Sequence, residues 1–493
     1  MTVRRERLLV YIAVVLIVLY RSAMFVFNPT LNLDSDEAIV GLMAKHLSQG
    51  RAFPLFYYGQ NYMLGVEAWL AAPVFLVMGA SVTALTLPLL AINLVTGLLL
   101  VILLEREAGL RPIFALVASL FFLLPPPGAV SLLLGAIGGN VEPFLYALLL
   151  WITRRRPLWF GFILGVGFLQ REATIYAAIA VIVIELAEGA WRRAERRQAL
   201  LSVLTVAAAV WLVVQVLRPI ASAAGPGTTA ADIAGAPGNN VIEVFRRLCF
   251  DWRTVFEGIR KLVTVQWAHL FGIEPGYGYS YGLESAVPLG LSGGGFVFGA
   301  AALVLLARIA WHARRLGGRW EQYRFCVYLT LVGAFSAGVY AVGRCGAESA
   351  LRYDLLSLLG AVGLAAWFFA AEPHVWWRRV GVAIILGWAL LSAVPHARIW
   401  AEYTTHAPVA AKAMIIRSLD ARGIKYATSD YWIAYYITFL TDERIIVTPT
   451  AFVRIPEYER VVNAHRAEAV HIARQPCAGG TRAVEGVYLC PIE

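Results

Sequence analysis

Three acidic side chains lie within four positions near the start of the chain, in the segment "NLDSDEAIV": Asp34, Asp36 and Glu37. Asp34 and Glu37 have the spacing of a capping box, in which each side chain accepts a hydrogen bond from the other residue's backbone amide. A cap does not need a carboxylate at position 36. Asp36, with Glu37 beside it, is therefore the candidate catalytic residue. A positioned carboxylate can act as a base and take a proton from an incoming hydroxyl. The alternative that all three acids only cap a helix stays open.

The composition places these acids in a membrane protein. Of 493 residues, 59% are hydrophobic and 15% are charged, and the mean hydropathy is +0.66. So much apolar surface does not fit inside one soluble core. The apolar runs are long and separated by short polar joints, which indicates helices that cross a bilayer.

The hydropathy pattern predicts about eleven membrane-spanning helices. The predicted spans are 8–27, 82–104, 112–125, 132–152, 157–170, 173–188, 199–219, 287–307, 323–343, 351–371 and 380–395. Arginines cluster in alternate joints, which predicts an inner (plasma) membrane protein with a cytoplasmic N-terminus. The net charge of +10 then reflects topology, so it does not indicate a nucleic-acid partner.

This topology places the segments 28–80, 220–286 and 396–493 outside the cytoplasm. The first contains the acids, followed by an amphipathic helix that we expect along the membrane surface. An aromatic loop, "FPLFYYGQNYMLGVEAWL", comes next. The residues of this loop that we expect to contact a substrate are Tyr58, Gln60, Tyr62 and Glu67.

The second outer segment also has an amphipathic pattern. Apolar residues between Phe245 and Ile259 recur at steps of three and four, with arginine and lysine on the rest of the helix. This pattern predicts an interfacial helix that contacts lipid phosphates or a lipid-linked substrate. The glycine- and tyrosine-rich stretch 274–285 is either a loop over the site or part of an aromatic belt.

The first outer segment resembles the first extracytoplasmic loop of GT-C glycosyltransferases. It shares an Asp-Glu pair that opens a surface helix after the first span, then "YYGQNYM" and a glutamate. The likeness is strongest to bacterial relatives of protein O-mannosyltransferases and lipid A aminoarabinose transferases. Three further stretches are similar to other regions of these enzymes: "GGNVEPFLYALLLWITRRR", "ALRYDLLSLLG" and "YWIAYYITFLTDERIIVTP". The aminoarabinose transferases have a Lys-Pro pair where this chain has Leu64, Gly65 and Val66, so the ligand role of that pair is not transferred here.

The resemblance implies a fold and a reaction. The expected architecture is an all-α GT-C-like membrane module, residues 1–395, followed by a small α/β domain, residues 396–493. The expected reaction moves a sugar from a polyprenyl-phosphate donor to a hydroxyl of a lipid, glycan or protein acceptor, usually with inversion, with Asp36 as base. No cofactor is required, although a divalent cation held by Asp34, Asp36 or Glu67 stays open. A transporter or flippase of a lipid-linked sugar is the alternative, and a non-catalytic scaffold is a third.

Departure of a phosphate calls for positive charge, and arginine matches phosphate oxygens two at a time. The arginines expected on the outer side are Arg21, Arg171, Arg344 and Arg352. Arg352, Arg171 and Arg344 are the candidates for binding the donor phosphate. Arg171 joins two short spans, where a charge must face protein or a wet cavity. Simple neutralisation of Arg171 by Glu172 stays an alternative, as does a rival role for Asp354 beside Arg352.

The tail changes composition at about residue 396 and reads as a soluble α/β domain. Nothing in it looks catalytic, and His465 and His471 are expected to be surface residues. Cys477 and Cys490 lie on the predicted oxidising side, so we expect them to form a disulfide. The other cysteines, which are expected to be unpaired, are Cys249, Cys326 and Cys345.

Overall fold

A computed structural model describes most of the chain. The described ranges are 3–28, 33–189, 192–233, 251–272, 276–277, 288–289, 306–308, 320–343, 351–407 and 410–492. Arg344, Cys249 and Cys345 lie outside these ranges, as do most of the predicted loop 274–285 and of the predicted span 287–307.

Helices dominate the described residues. Those of eight residues or more are α1 (Val3–Phe27), α2 (Ser35–Ser48), α3 (Val66–Met78), α4 (Val82–Glu107), α5 (Pro112–Leu123), α6 (Pro127–Leu134), α7 (Glu142–Thr153), α8 (Pro157–Gln170), α9 (Thr174–Ala187), α10 (Ala194–Leu217), α11 (Trp252–Lys261), α12 (Trp320–Val342), α13 (Ser357–Ala371), α14 (Val375–Thr405), α15 (Ala411–Ala421), α16 (Tyr431–Leu440) and α17 (Pro456–Ala464).

Within the described ranges, five helices are long and apolar enough to cross a membrane: α1, α4, α10, α12 and α14. The pair α5 and α6 would form a sixth span, bent by 81°. Helices α3, α7, α8, α9 and α13 are apolar but shorter. The chain is therefore a multi-pass membrane protein, as composition predicts, while the count of eleven spans and the side that each end faces stay predictions.

The predicted span 132–152 is wrong as one continuous helix. Helix α6 ends at Leu134 and α7 begins at Glu142. Between them, Gly138 and Gly139 have φ angles of +87° and +85°. An α-helix cannot include such residues, so the chain crosses this level as an irregular loop.

The region around the last spans also differs from the prediction. Residues Leu351–Tyr353 form a 3₁₀ turn, and α13 begins only at Ser357. Helix α14 continues to Thr405, ten residues past the predicted end of the last span, with Pro395 inside it. The division of the chain at residue 396 stays a prediction.

The tail is an α/β domain, as predicted. Its strands are β1 (Tyr426–Ser429), β2 (Ile446–Pro449), β3 (Val470–Ala473), β4 (Thr481–Val484) and β5 (Val487–Pro491). They form one sheet in the order β2–β1–β3–β5–β4. Strand β1 pairs in parallel with β2 and β3, and the remaining pairs are antiparallel. One further pair of strands, each of two residues, lies outside the tail: Gly276–Tyr277 pairs with Pro288–Leu289.

A disulfide joins Cys477 and Cys490, whose Cα atoms lie 6.0 Å apart. Gly480 allows the chain to pass close to it, because a Cβ at Gly480 would lie 2.3 Å from the Cys477 sulfur. Cys326 is buried and carries a free thiol. The ring of His465 stacks on a tyrosine of β1, with ring centroids 4.1 Å apart.

The tail packs against α2 through α16. Beyond the end of α16, Glu443 contacts Lys45 Nζ at 2.8 Å and His46 Nε2 at 3.2 Å. The Glu443 side chain is only 11% exposed. Burial raises the pKa of Glu443, but the hydrogen bonds from His46 and Lys45 outweigh it and bring the pKa below its ordinary value. We call Glu443, Lys45 and His46 the docking cluster.

Replacement of Glu443 should weaken docking of the tail. Glu443→Gln removes the only largely buried counter-charge that contacts Lys45 among the described residues, so we expect a loss of about 3 kcal/mol in the free energy of unfolding. The matched control is Asp442→Asn: Asp442 also contacts Lys45, at 2.6 Å, but is 73% exposed. Exposed pairs of this kind contribute about 0–1 kcal/mol. Thermal melting of the purified protein in detergent measures both changes.

The stability difference between the parent and Glu443→Gln should depend on pH, and the pKa of Glu443 sets the direction of that dependence. The folded-state pKa of Glu443 lies below its unfolded value of about 4.3. Its contribution is therefore present in full above about pH 5 and is lost as pH falls through the folded-state pKa. The melting difference between parent and Glu443→Gln should shrink below about pH 4. An equal difference at all pH values would contradict an ionic role for Glu443.

Candidate active site

Asp34 and Glu37 form the helix cap that their spacing predicts, and Asp36 lies outside this cap. Asp34 Oδ1 accepts a hydrogen bond from the Glu37 amide at 2.9 Å, and Glu37 Oε2 accepts one from the Asp34 amide at 3.1 Å. This is a complete capping box. Burial raises the pKa of Asp34 to about 6, and the neighbouring charge of Asp36 adds to the rise. Glu37 is buried beneath the cap, so Asp36 is the acid of this segment that capping leaves for chemistry.

Asp36 is held by two tyrosine hydroxyls. Tyr431 Oη donates to Asp36 Oδ1 at 2.5 Å, and Tyr57 Oη donates to the same oxygen at 3.3 Å. The other oxygen, Oδ2, lies 4.0 Å from Arg352 Nη1. The carboxylate is 23% exposed, so it is reachable from outside while its orientation is fixed.

Both hydroxyls stay protonated and able to donate. Burial raises the pKa of Tyr57 well above its ordinary value, and the charge of Asp36 raises it further. Burial and then the charge of Asp36 raise the pKa of Tyr431 in the same way. A proton taken up by Asp36 therefore does not come from these tyrosines at neutral pH.

Arg352 is the cation next to Asp36. It lies on the 3₁₀ turn before α13 and donates from Nη2 to the Tyr353 hydroxyl at 3.1 Å. Burial lowers the pKa of Arg352, but Tyr353 and Asp36 outweigh it and raise the pKa above its ordinary value. Asp354 is not its partner, because Asp354 is buried and accepts hydrogen bonds from Trp267 and Ser357. Arg352 is thus a permanent charge directed at the site.

Arg171 lies near the same aromatic ring. The guanidinium carbon of Arg171 is 5.3 Å from the ring centroid of Tyr353, and that of Arg352 is 5.0 Å from it. Arg171 Nη1 donates to the Gly138 carbonyl at 3.3 Å. Among the described residues, Arg171 Nη2 and Arg352 Nε are buried without a hydrogen-bond partner. Two cations with unused donors around one ring can bind an anion such as a phosphate.

Glu67 has a different place from the one expected for a substrate-contacting residue. Its two carboxylate oxygens accept the backbone amides of Gly138 and Gly139, both at 2.7 Å, and the side chain is buried. The clamp holds the irregular loop before Glu142, the first residue of α7. This loop supplies the carbonyl that binds Arg171. Glu67 therefore positions Arg171 indirectly, by holding the loop whose carbonyl accepts the Arg171 hydrogen bond.

The other residues of the aromatic loop point in different directions. Tyr58 contacts His46 Nδ1 through its hydroxyl at 3.2 Å and so belongs with the docking cluster. Tyr62 is half-buried, and its pKa is raised first by burial. The charges of Arg454 and Arg171 oppose that rise, which places Tyr62 near both arginines. Gln60 has a buried Oε1 without a partner in the described part of the chain.

Two tail residues belong to the site although sequence analysis found nothing catalytic there. Tyr431 contacts Asp36 directly. The guanidinium of Arg454 lies 5.9 Å from the ring centroid of Tyr57, and its Nη1 donates to the Gly59 carbonyl at 3.0 Å. Nothing in the sequence indicated these contacts, because the tail was judged apart from the loop that it covers.

The carboxylates proposed for a divalent cation are already engaged. Asp34 and Glu67 accept backbone hydrogen bonds, and Asp36 accepts two from tyrosines. Within the described ranges, no three His, Cys, Asp or Glu side chains lie at a spacing that could hold a metal ion. A divalent cation held by Asp34, Asp36 or Glu67 stays a prediction.

The fold is similar to two solved membrane enzymes. ArnT from Cupriavidus metallidurans bound to undecaprenyl phosphate aligns with a TM-score of 0.59 and 11% sequence identity, over 98% of this chain and 97% of ArnT. The apo oligosaccharyltransferase of Archaeoglobus fulgidus aligns with a TM-score of 0.53 and 13% identity, over 95% of this chain and 69% of the archaeal one. Both are GT-C enzymes.

The chain has the GT-C fold. The alignment with ArnT covers 98% of this chain and so extends into the tail, and the predicted combination of a helical membrane part and a small α/β part is confirmed. No protein-family model matches the sequence, and a search of curated proteins finds no similar sequence. At these identities the likeness shows the fold, and function must be argued from the site.

The hydrogen bonds from the Gly138 and Gly139 amides to Glu67 can be tested by replacing the carboxyl group of Glu67 with an amide. Glu67→Gln keeps the size of the side chain but places an NH₂ group against a backbone N–H. We expect a loss of about 1–3 kcal/mol in the free energy of unfolding, the cost of an unsatisfied buried group. The control is Glu172→Gln, an exposed carboxylate next to Arg171. Equal melting temperatures for parent and Glu67→Gln would show that the clamp does not hold the loop.

Proposed function

We propose that this protein is a membrane glycosyltransferase that transfers a sugar from a polyprenyl-phosphate donor to a hydroxyl acceptor on the extracytoplasmic side. The observation that carries the proposal is a carboxylate with a free oxygen 4.0 Å from an arginine, with a second arginine around the same tyrosine ring. A base and an anion-binding pair are the two groups that such a transfer needs. The GT-C fold, shared with an ArnT solved with undecaprenyl phosphate, supports the donor class.

The donor phosphate is assigned to Arg352 and Arg171. Each has a buried nitrogen without a partner among the described residues, and an unpaired buried donor is costly unless a ligand occupies it. Tyr353 contacts both guanidinium groups and fixes their positions. Arg344, the third arginine predicted for this role, stays a prediction.

The reaction proceeds in one displacement. The acceptor hydroxyl gives its proton to Asp36 Oδ2 while its oxygen forms a bond to the anomeric carbon of the sugar. The bond from that carbon to the phosphate oxygen breaks, and its electron pair leaves with the polyprenyl phosphate, which gains one negative charge. Arg352 and Arg171 stabilise that charge. Attack from the face opposite the phosphate inverts the anomeric centre.

Loss of the base should abolish most of the activity. Asp36→Asn nearly preserves shape but removes the proton acceptor, so transfer should fall by about 100-fold or more. The matched control is Asp34→Asn, two residues away, because asparagine caps a helix about as well as aspartate. The assay is turnover of labelled polyprenyl-phosphate sugar by purified protein, with melting temperature recorded for each variant. Parent-like turnover by Asp36→Asn would rule out Asp36 as the base.

Arg352→Lys should impair donor handling while keeping the charge. A lysine ammonium cannot match two phosphate oxygens at once as a guanidinium does. We expect the KM for the lipid-linked donor to rise by about 10-fold, the equivalent of one charge-assisted hydrogen bond. Arg324→Lys is the control, since Arg324 pairs with Glu188 on a different part of the protein. An unchanged KM for Arg352→Lys would place the donor phosphate elsewhere.

A further inference from the structure

We propose that the C-terminal tail is part of the active site and that Tyr431 is the positioning residue that selects which oxygen of Asp36 acts as the base. This inference rests on the proposed function. It assigns a role in the reaction to a domain in which the sequence shows no catalytic pattern.

Helices α2 and α16 bring the two residues together. Asp36 lies at the start of α2 and contacts Tyr431 at the start of α16. Lys45, near the end of α2, contacts Glu443 just beyond the end of α16. The two helices therefore run side by side in the same direction and are joined at both ends.

A glycine in the middle of α2 sets their separation. A Cβ at Gly41 would lie 2.6 Å from a ring carbon of Phe439, so only glycine lets the Phe439 ring lie against the α2 backbone. The ring of Phe439 also stacks with that of Phe75 on α3, with centroids 6.3 Å apart. The register of α16 on α2 is thus fixed in the middle as well as at the ends. Helix packing, rather than a flexible loop, therefore places Tyr431 next to Asp36.

The hydrogen bonds at Asp36 are unequal. Tyr431 donates to Oδ1, and the Tyr57 hydroxyl lies 3.3 Å from Oδ1 and 3.3 Å from the Asp36 backbone carbonyl, whereas Oδ2 faces Arg352. Because Oδ1 already has both hydroxyls as neighbours, the acceptor hydroxyl meets Oδ2. Tyr431 thereby directs proton transfer to the side of the carboxylate where the arginines bind the phosphate.

Arg454 adds a second contribution from the tail. It donates to the Gly59 carbonyl and lies over the ring of Tyr57. These contacts fix the loop that carries the other hydroxyl on Oδ1. Among the described residues, the charged and titratable groups that interact electrostatically with Asp36 are Asp34, Tyr57, Arg352, Tyr431 and Arg454. Two of the five come from the tail.

The contact itself is tested by melting, without any substrate. Melting temperatures are recorded for the full-length parent, Asp36→Ala, Tyr431→Phe and the double variant. If Tyr431 bonds to Asp36, the two single losses add up to more than the loss in the double variant. Additive losses would overturn the proposal at once.

The role in the reaction is tested by the pH dependence of turnover. Tyr431→Phe removes the hydrogen bond that orients the Asp36 carboxylate, so transfer should fall by about 10-fold at neutral pH. The acidic limb of the kcat profile should move to higher pH by about one unit. The control is Tyr458→Phe, which also removes a hydroxyl where the tail meets α2, but one that contacts Glu443 and His46. Its acidic limb should stay where the parent has it.

The outcomes separate this inference from the function on which it rests. A parent that turns over no polyprenyl-phosphate sugar contradicts the proposed function. An active parent with an unshifted acidic limb in Tyr431→Phe contradicts only the role of Tyr431. Equal shifts in Tyr431→Phe and Tyr458→Phe would mean that the tail acts through docking alone, and this result also overturns the proposal.

Discussion

A polar group that leaves water is stable only where other groups replace the lost hydration. Three carboxyl groups of this protein meet that condition, and the architecture depends on them. Glu67 takes two backbone amides and so holds an irregular loop between membrane helices. Glu443 takes a lysine and a histidine of α2 and so docks the tail. Asp36 Oδ1 lies within hydrogen-bond distance of two tyrosine hydroxyls, one from the membrane part and one from the tail. Neither of these contacts involves Oδ2.

Features determined by neighbours in the chain were predictable from the sequence. The cap between Asp34 and Glu37 involves residues three apart, so composition and spacing suffice to find it. Apolar helices and the short strands of the tail follow from periodicity in the same way. The break within 132–152 also had a local signal, since Gly138 and Gly139 are adjacent, but mean hydropathy over a window does not register backbone conformation.

The composition of the site was not predictable in the same manner. Tyr431 follows Asp36 by 395 positions, and no periodicity connects residues so far apart. The tail reads as an ordinary α/β domain because its strands and helices alternate regularly. A usable signal was the tyrosine- and tryptophan-rich start of α16, which is unusual for a soluble helix. One of those aromatic residues, Tyr431, contacts Asp36 at the start of α2. Arg171 was identified from the shortness of α8 and α9, a length argument that needs no partner.

Helix α2 therefore belongs to both halves of the molecule. Its first turn carries Asp36, its last turn carries the docking residues, and its middle is a glycine against which the tail packs. Without the tail, Oδ1 of Asp36 would keep only its 3.3 Å contact with Tyr57, while Oδ2 would still face Arg352. Once α16 lies along α2, Tyr431 adds the closer contact to Oδ1. In the proposed reaction, the direction of proton transfer therefore depends on the docked pair of helices as well as on the acidic motif.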